Sequence, residues 1–329
     1  MTSDELTGKA TPAAGGVDDL IPSVRQSTQR SSHSRHSAAG DRINGAVRHL
    51  SRRLWLALTG PLFILLCSGH LSAARAETVL SFGVVPQFPM ERIATDWNPV
   101  LQEISRASGL RLELKYYATI PEFEKAFLKG ELDIAYLNPY HAVMARKSAG
   151  YIPIIRDEQR LTGILVVRKD SPVTRLDQLD GATIAFPAPN AFGASLYMRA
   201  LLTEQARIRF TPVYRTTHSN VHRHVLSGQA QAGGAVRQTL DKEAPEVRES
   251  LRILYETPAA YSHPIVVHPR VPMKGRQALQ QAFLNLAGRT ELAPLLKEIQ
   301  MPNPVIASYE NYAPLEKLGL ERFVVLKAE

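Results

Sequence analysis

The stretch "RLDQLDGATIAFPAPNAFGASLYMRALL", residues 175–202, reads as a short helix, a glycine turn, a strand and a second helix. Between that strand and the second helix stands "PAPNAFGAS", a helix start with almost no functional side chains. With Asn190 as N-cap, the residues Ala191, Phe192, Gly193, Ala194 and Ser195 form the first turn. There, free backbone N–H groups and the positive end of the helix dipole point outward. Such a start suits an anion, with the Ser195 hydroxyl as one further donor and Phe192 as an apolar wall. The plainer reading is that small residues let the helix start pack closely on its strand.

Strand and helix alternate in the same way on both sides. "TVLSFGVVP" reads as a first strand and "ERIATDWNPVLQEISRASG" as a helix ending at Gly109. "LRLELKYYA" alternates as a second strand, and the next helix opens on a capping box from Thr119 to Glu122 with Pro121 in its first turn. "LDIAYL" is a strand, and "NPYHAVMARKSAG" is a helix capped by Asn138. After "LTGILVVRKDSP", the segments "FTPVYRTT", "SNVHRHVLSG" and "QAQAGGAV" repeat strand, helix, strand, and "LRILYE" and "HPIVVHP" bring the chain back to two final helices. The pattern predicts an α/β fold with mostly parallel sheets in two lobes. Residues 77–165 and 258–329 form one lobe in this reading, and residues 166–257 the other.

Ahead of this pattern, residues 1–50 are rich in Ser, Thr, Ala, Gly, Arg and His without apolar periodicity, as in disordered chains. "RHLSRRLW", the short apolar run "LWLALTGPLFILLC" and "SAARA" then follow in the order of a secretory signal peptide, with cleavage after Ala76. "SRRLWL" is also compatible with a twin-arginine signal. Residues 1–76 are thus read as a disordered N-terminus plus signal peptide, and the mature protein as periplasmic. The single cysteine, Cys67, falls inside that signal, which removes disulfides, a thiol nucleophile and thiolate metal ligands from the mature chain. Of 39 Lys and Arg, nine precede Glu77, and of 31 Asp and Glu, five do, which leaves a net charge of +4. That is no nucleic-acid footprint, but it suits a protein with an anionic ligand.

Four blocks, "GELDIAYLNPYHAV", "TGILVVRKDSPVTRLDQLDGATIAF", "FPAPNAFGAS" and "TTHSNVHRHVLSGQAQAGGAV", resemble in order and spacing the periplasmic phosphate/phosphite/phosphonate-binding proteins of ABC transporters. The resemblance implies two α/β lobes joined by two crossing strands, a small oxyanion in the cleft, and a partner in the inner membrane. That partner is an ABC permease, or a sensor kinase if the module reports its ligand instead. It implies a monomer that is not an enzyme and needs no cofactor, and the residues agree: no nucleophile–base motif or metal triad is found.

The resemblance also locates a site. The family's turn at 188–194 is usually rich in Ser and Thr, whereas here Ala188, Ala191, Gly193 and Ala194 keep the amides and lose the hydroxyls. His218, flanked by Thr217 and Ser219 at a second helix start, falls where the family places a histidine near the anion; a neutral or protonated imidazole can donate to an oxyanion, and the protonated form would add charge. Tyr117, Tyr136, Asn138 and Tyr140 stand at strand ends or helix starts that should face the cleft. Where some members meet a ligand amine with acidic residues, this chain has Gln238 and His263, which cannot neutralise an ammonium. The i,i+4 pair His218 and His222 could grip a metal, but no carboxylate stands at ligand spacing in sequence, and no metal is expected.

Overall fold

The computed structural model describes residues 79–326. The disordered N-terminus and signal peptide expected at 1–76, Cys67 included, lie outside the described residues. In chain order the strands are β1 (Val79–Val84), β2 (Arg111–Lys115), β3 (Ile134–Tyr136), β4 (Ile152–Asp157), β5 (Arg160–Leu161), β6 (Gly163–Arg168), β7 (Ala182–Phe186), β8 (Phe210–Tyr214), β9 (Ala232–Val236), β10 (Leu251–Glu256), β11 (Ala260–Tyr261), β12 (Pro264–Val267) and β13 (Pro304–Ile306). Six of them form one sheet in the order β13-β4-β12-β3-β1-β2, and five a second in the order β10-β6-β9-β7-β8. The short β5 and β11 pair antiparallel with each other where the chain passes between the sheets.

The sheets are mixed, which corrects the expectation of mostly parallel strands. Parallel pairing holds where a helix links successive strands, as in β1 with β2 and β3, or β7 with β8 and β9. The strands that arrive by direct passage between the sheets run the other way: β12 is antiparallel to β3 and β4, and β6 is antiparallel to β9 and β10. Without a helical crossover, a chain re-enters a sheet in the opposite direction.

Helices α1 (Met90–Ser108), α2 (Ile120–Leu128) and α3 (Pro139–Ala149) cover the first sheet. Helix α1 buries Ile93, Trp97, Val100, Leu101 and Ile104, a single stripe at 3.6-residue spacing, and stops at Gly109 with φ 68°. The Thr119 hydroxyl accepts the Glu122 N–H at 3.3 Å, and the Glu122 carboxylate accepts the Ala118 N–H at 3.2 Å, which fixes the start of α2. Asn138 caps α3 by accepting the His141 N–H at 2.7 Å.

On the second sheet lie α4 (Tyr197–Glu204), α5 (His218–Leu226), α6 (Arg237–Asp241) and α7 (Pro245–Glu249), and α8 (Met273–Ala287) and α9 (Ala293–Glu298) complete the first layer. Thr217 caps α5 by accepting the Asn220 N–H at 3.2 Å. No helix among the described residues is long and apolar enough to cross a membrane.

Candidate functional site

The turn that precedes α4 is not the Asn190-capped α-helix expected from its sequence. Ala191 is the N-cap, and Phe192–Leu196 form a turn of π-helix before the α-helix proper. The Ala191 carbonyl accepts two N–H groups, from Ser195 at 2.8 Å and Leu196 at 3.0 Å, so the turn is wide. Asn190 is drawn away by tertiary partners. Its Nδ2 donates to the Glu124 carboxylate at 3.0 Å and to the Val325 carbonyl at 2.8 Å, and its Oδ1 accepts the Val325 N–H at 2.9 Å.

Two glycines let this turn lie on the second sheet. A Cβ on Gly163 of β6 would come within 2.7 Å of the Gly193 carbonyl carbon. A Cβ on Gly234 of β9 would drive into the Ala194 carbonyl oxygen and reach 2.6 Å from the Phe186 ring. These close approaches agree with the plainer reading of "NAFGAS", close packing on a strand. Three successive N–H groups, those of Phe192, Gly193 and Ala194, have no acceptor among the described residues. Buried N–H groups rarely go unpaired.

A cavity of about 10 Å³, about the space of one water molecule, lies against these amides. Its wall contains Ala191, Phe192, Gly193 and Ala194 on one side, His218 at the start of α5, and Asn138 and His263 from the first sheet's layer. Seven of the residues expected at the site thus meet in one place. The other five do not line it. Ser195 is fully buried, and its hydroxyl accepts the Arg199 Nε–H at 3.2 Å. Tyr117 packs edge-on against Phe123, with ring centres 5.4 Å apart, and Tyr140 is buried in the first layer's core. Tyr136 stacks on His263 at 5.3 Å and so backs a wall residue. Asn190 is held as described above, and Gln238 donates to the Arg160 carbonyl at 3.1 Å.

Sequence reasoning missed Gln87, Val85, Ile120, Leu161 and Val236, all in the cavity wall. Gln87 is the informative one. It follows β1, its carbonyl accepts the His218 N–H at 3.4 Å across the cleft, and its buried side-chain amide makes no hydrogen bond to the described residues. The signal was a polar residue just past the carboxyl end of a parallel strand, where α/β sheets hold their ligands.

The electrostatics of the wall are those of a neutral polar site. Among the described residues no lysine, arginine or carboxylate lines the cavity. Of the two forms in which His218 could donate to an anion, burial favours the neutral one. Burial, together with neighbouring His222 and His263, pulls the His218 imidazole down to about 3, against the opposing effect of Glu243. Burial and His141 pull His263 down to about 3 as well. A cation does stand behind the amides: Arg199, buried, donates to Ser195 Oγ, to the Pro189 carbonyl at 2.9 Å and to the Phe323 carbonyl at 2.7 Å, and makes no ion pair among the described residues. Its positive charge adds to the potential at the turn.

These histidines make stability depend on pH. Unfolded chains protonate imidazoles below about 6.5, whereas the folded protein resists until about 3. The unfolded state therefore binds more protons in this window, and stability falls as the pH falls through it. Thermal unfolding between these limits should show a steadily declining midpoint, with a shallower decline in His218→Gln.

The family described as "ABC transporter, phosphonate, periplasmic substrate-binding protein" matches residues 82–312. The phosphonates-binding periplasmic protein of Escherichia coli (strain K12) is 21% identical over 263 residues, 75% of this chain and 78% of that protein. Among solved structures, a binding protein component of an ABC phosphonate transporter from Pseudomonas aeruginosa has a TM-score of 0.68 at 15% identity, over 75% of this chain and 88% of that one. PhnD1 from Prochlorococcus marinus (MIT 9301), in complex with methylphosphonate, has a TM-score of 0.67 at 18% identity, over 74% of this chain and 98% of that one. These neighbours share the two-lobed α/β fold, and the matched family consists of transport components and not enzymes. With a match that spans most of the strands and helices described above, the chain belongs to the periplasmic substrate-binding proteins of ABC phosphonate transporters.

Proposed function

We propose that this protein captures a small tetrahedral oxyanion of the phosphonate type in the cleft between its lobes and delivers it to an ABC permease of the inner membrane. One observation carries the reading: three successive residues, Phe192, Gly193 and Ala194, line a cavity, and their N–H groups have no acceptor among the described residues. His218, His263, Gln87 and Asn138 supply the remaining polar wall, and Phe192 the apolar one. The lobes are residues 77–165 with 258–329, and residues 166–257. The paired β5 and β11 act as the hinge that opens the cleft to a ligand. Delivery begins with export and cleavage after Ala76.

A second consequence concerns substituents. An aminoalkylphosphonate would bring an ammonium into a wall without a carboxylate. Burial of an unpaired charge costs several kcal/mol. Titration calorimetry with methylphosphonate and 2-aminoethylphosphonate should therefore give affinities at least ~100-fold apart, methylphosphonate being tighter. Tight binding of the aminophosphonate, with methylphosphonate weaker, would refute the assignment of the wall.

A further inference from the structure

His218 and Thr239 together decide what kind of anion the cavity accepts, and this rests on the phosphonate-type reading above. The Thr239 hydroxyl lies 2.7 Å from the Val236 carbonyl and 3.2 Å from His218 Nδ1. A carbonyl only accepts, so the single hydroxyl proton of Thr239 goes to Val236, and its oxygen must accept from Nδ1–H. The neutral ring then carries its proton on Nδ1, and Nε2 is left with a bare lone pair. Nε2 has no partner among the described residues and, unlike Nε2 of His222, is not sealed in by protein. His218 is 2% exposed and lines the cavity, so that lone pair is offered to whatever the cavity holds.

We propose that the site selects a singly protonated tetrahedral anion, whose unprotonated oxygens take the N–H groups of Phe192, Gly193 and Ala194 while its one O–H donates to His218 Nε2. A fully ionised oxygen against that nitrogen would set lone pair against lone pair. The absence of any cation from the cavity wall points the same way, because a dianion would be costlier to bury there than a monoanion. The groups that face His218 do not upset the argument. These are His222 on its own helix, His263 from the first sheet and Glu243 after α6. The Glu243 carboxyl, against the raising effect of burial, is held below its ordinary value by hydrogen bonds from His222 and Ser219. It is therefore ionised near neutrality, and His218 and His263 are uncharged there.

Methanesulfonate supplies the test, because it matches singly protonated methylphosphonate in shape and charge but carries no proton. A site built to receive a ligand hydroxyl rejects an analogue that lacks it. Calorimetry on the purified protein near neutral pH should find methanesulfonate weaker than methylphosphonate by on the order of 100-fold. Thr239→Val keeps the volume and removes the oxygen that pins Nδ1–H, so the ring is free to place its proton on Nε2. That variant should narrow the gap to below ~10-fold, mainly by a gain for methanesulfonate. A Thr239 that merely supports the fold would lower both affinities in parallel and leave their ratio unchanged. As pH rises through the ligand's second ionisation, methylphosphonate should weaken while methanesulfonate stays level. Equal affinity for the two ligands, or an unchanged ratio in Thr239→Val, would overturn the proposal and leave the oxyanion reading intact. Failure of the protein to bind either ligand would overturn both.

Discussion

Gly234→Ala is expected to abolish methylphosphonate binding and to cost about 3 kcal/mol of stability. Gly234 lies in β9, flanked by β6 and β7, and its Cα faces the turn that bears the three open N–H groups. The added Cβ would press on the Ala194 carbonyl oxygen and sit 2.6 and 2.8 Å from two Phe186 ring atoms. Neither the strand nor the π-helical turn has a flexible side chain end to move aside, so the turn itself must shift. A displaced turn no longer aims its amides into the cavity, and a loss of at least ~100-fold in affinity follows from a misplacement of about 1 Å. Gly288→Ala is the control. Its Cβ would meet only the Asn285 carbonyl, at 3.5 Å, and both stability and binding should stay near the parent values. Thermal unfolding and calorimetry on the two variants check the contrast.

Glu124→Leu is expected to be as disruptive, through a different mechanism. Glu124 is 4% exposed, and its two oxygens take different partners: His141 Nε2 at 2.8 Å and Asn190 Nδ2 at 3.0 Å. The first partner belongs to the same layer, and the second stands just before the turn of Phe192–Leu196. A leucine would fill the space and leave His141, whose Nδ1 already lacks a partner, with no hydrogen bond at either ring nitrogen. Removal of one member of a buried hydrogen-bonded carboxylate pair costs about 3–5 kcal/mol. For a domain of this size that lowers the melting temperature by roughly 6–20 °C. Affinity should fall too, because this contact ties α2 to Asn190, which leads directly into the turn of Phe192–Leu196. Glu124→Gln can still accept from Asn190 and donate to His141, and should lose less than half as much. A Glu124→Leu protein as stable and as tight-binding as the parent would show that this buried bridge is incidental.

Much of the fold was legible because local chemistry and tertiary structure agree. Thr119, Asn138 and Thr217 cap the helices that their sequence positions imply, and Gly109, Gly130 and Gly150 take the positive φ values that end three elements. Strand β4 was harder to read, because Pro153 interrupts its apolar run. The antiparallel returns were illegible for a related reason: alternation of strand and helix reports layers, and it carries no direction for strands that pass straight between sheets.

Of the residues that the sequence placed at the site, those of the 191–194 turn and His218 do meet around one cavity, but their local chemistry was only partly legible. Asn190 has the residue type of an N-cap, yet Glu124 and Val325, 66 and 135 residues away in sequence, take its side chain. The charge state of His218 stayed open in the sequence because burial by a neighbouring layer leaves no trace in local sequence. Its tautomer depends on Thr239, 21 residues on, whose hydroxyl has no recognisable motif. Gln87 escaped notice because a lone glutamine after a strand resembles any loop residue.

If the backbone of Phe192, Gly193 and Ala194 grips the anion, amide proton NMR will register it at those three residues. On titration with methylphosphonate, the N–H resonances of these three residues should move downfield together and saturate with the affinity found by calorimetry, as each gains a charge-assisted hydrogen bond. Their exchange with solvent should slow over the same range. Binding that saturates in calorimetry while these three resonances stay in place would contradict the account and put the ligand elsewhere.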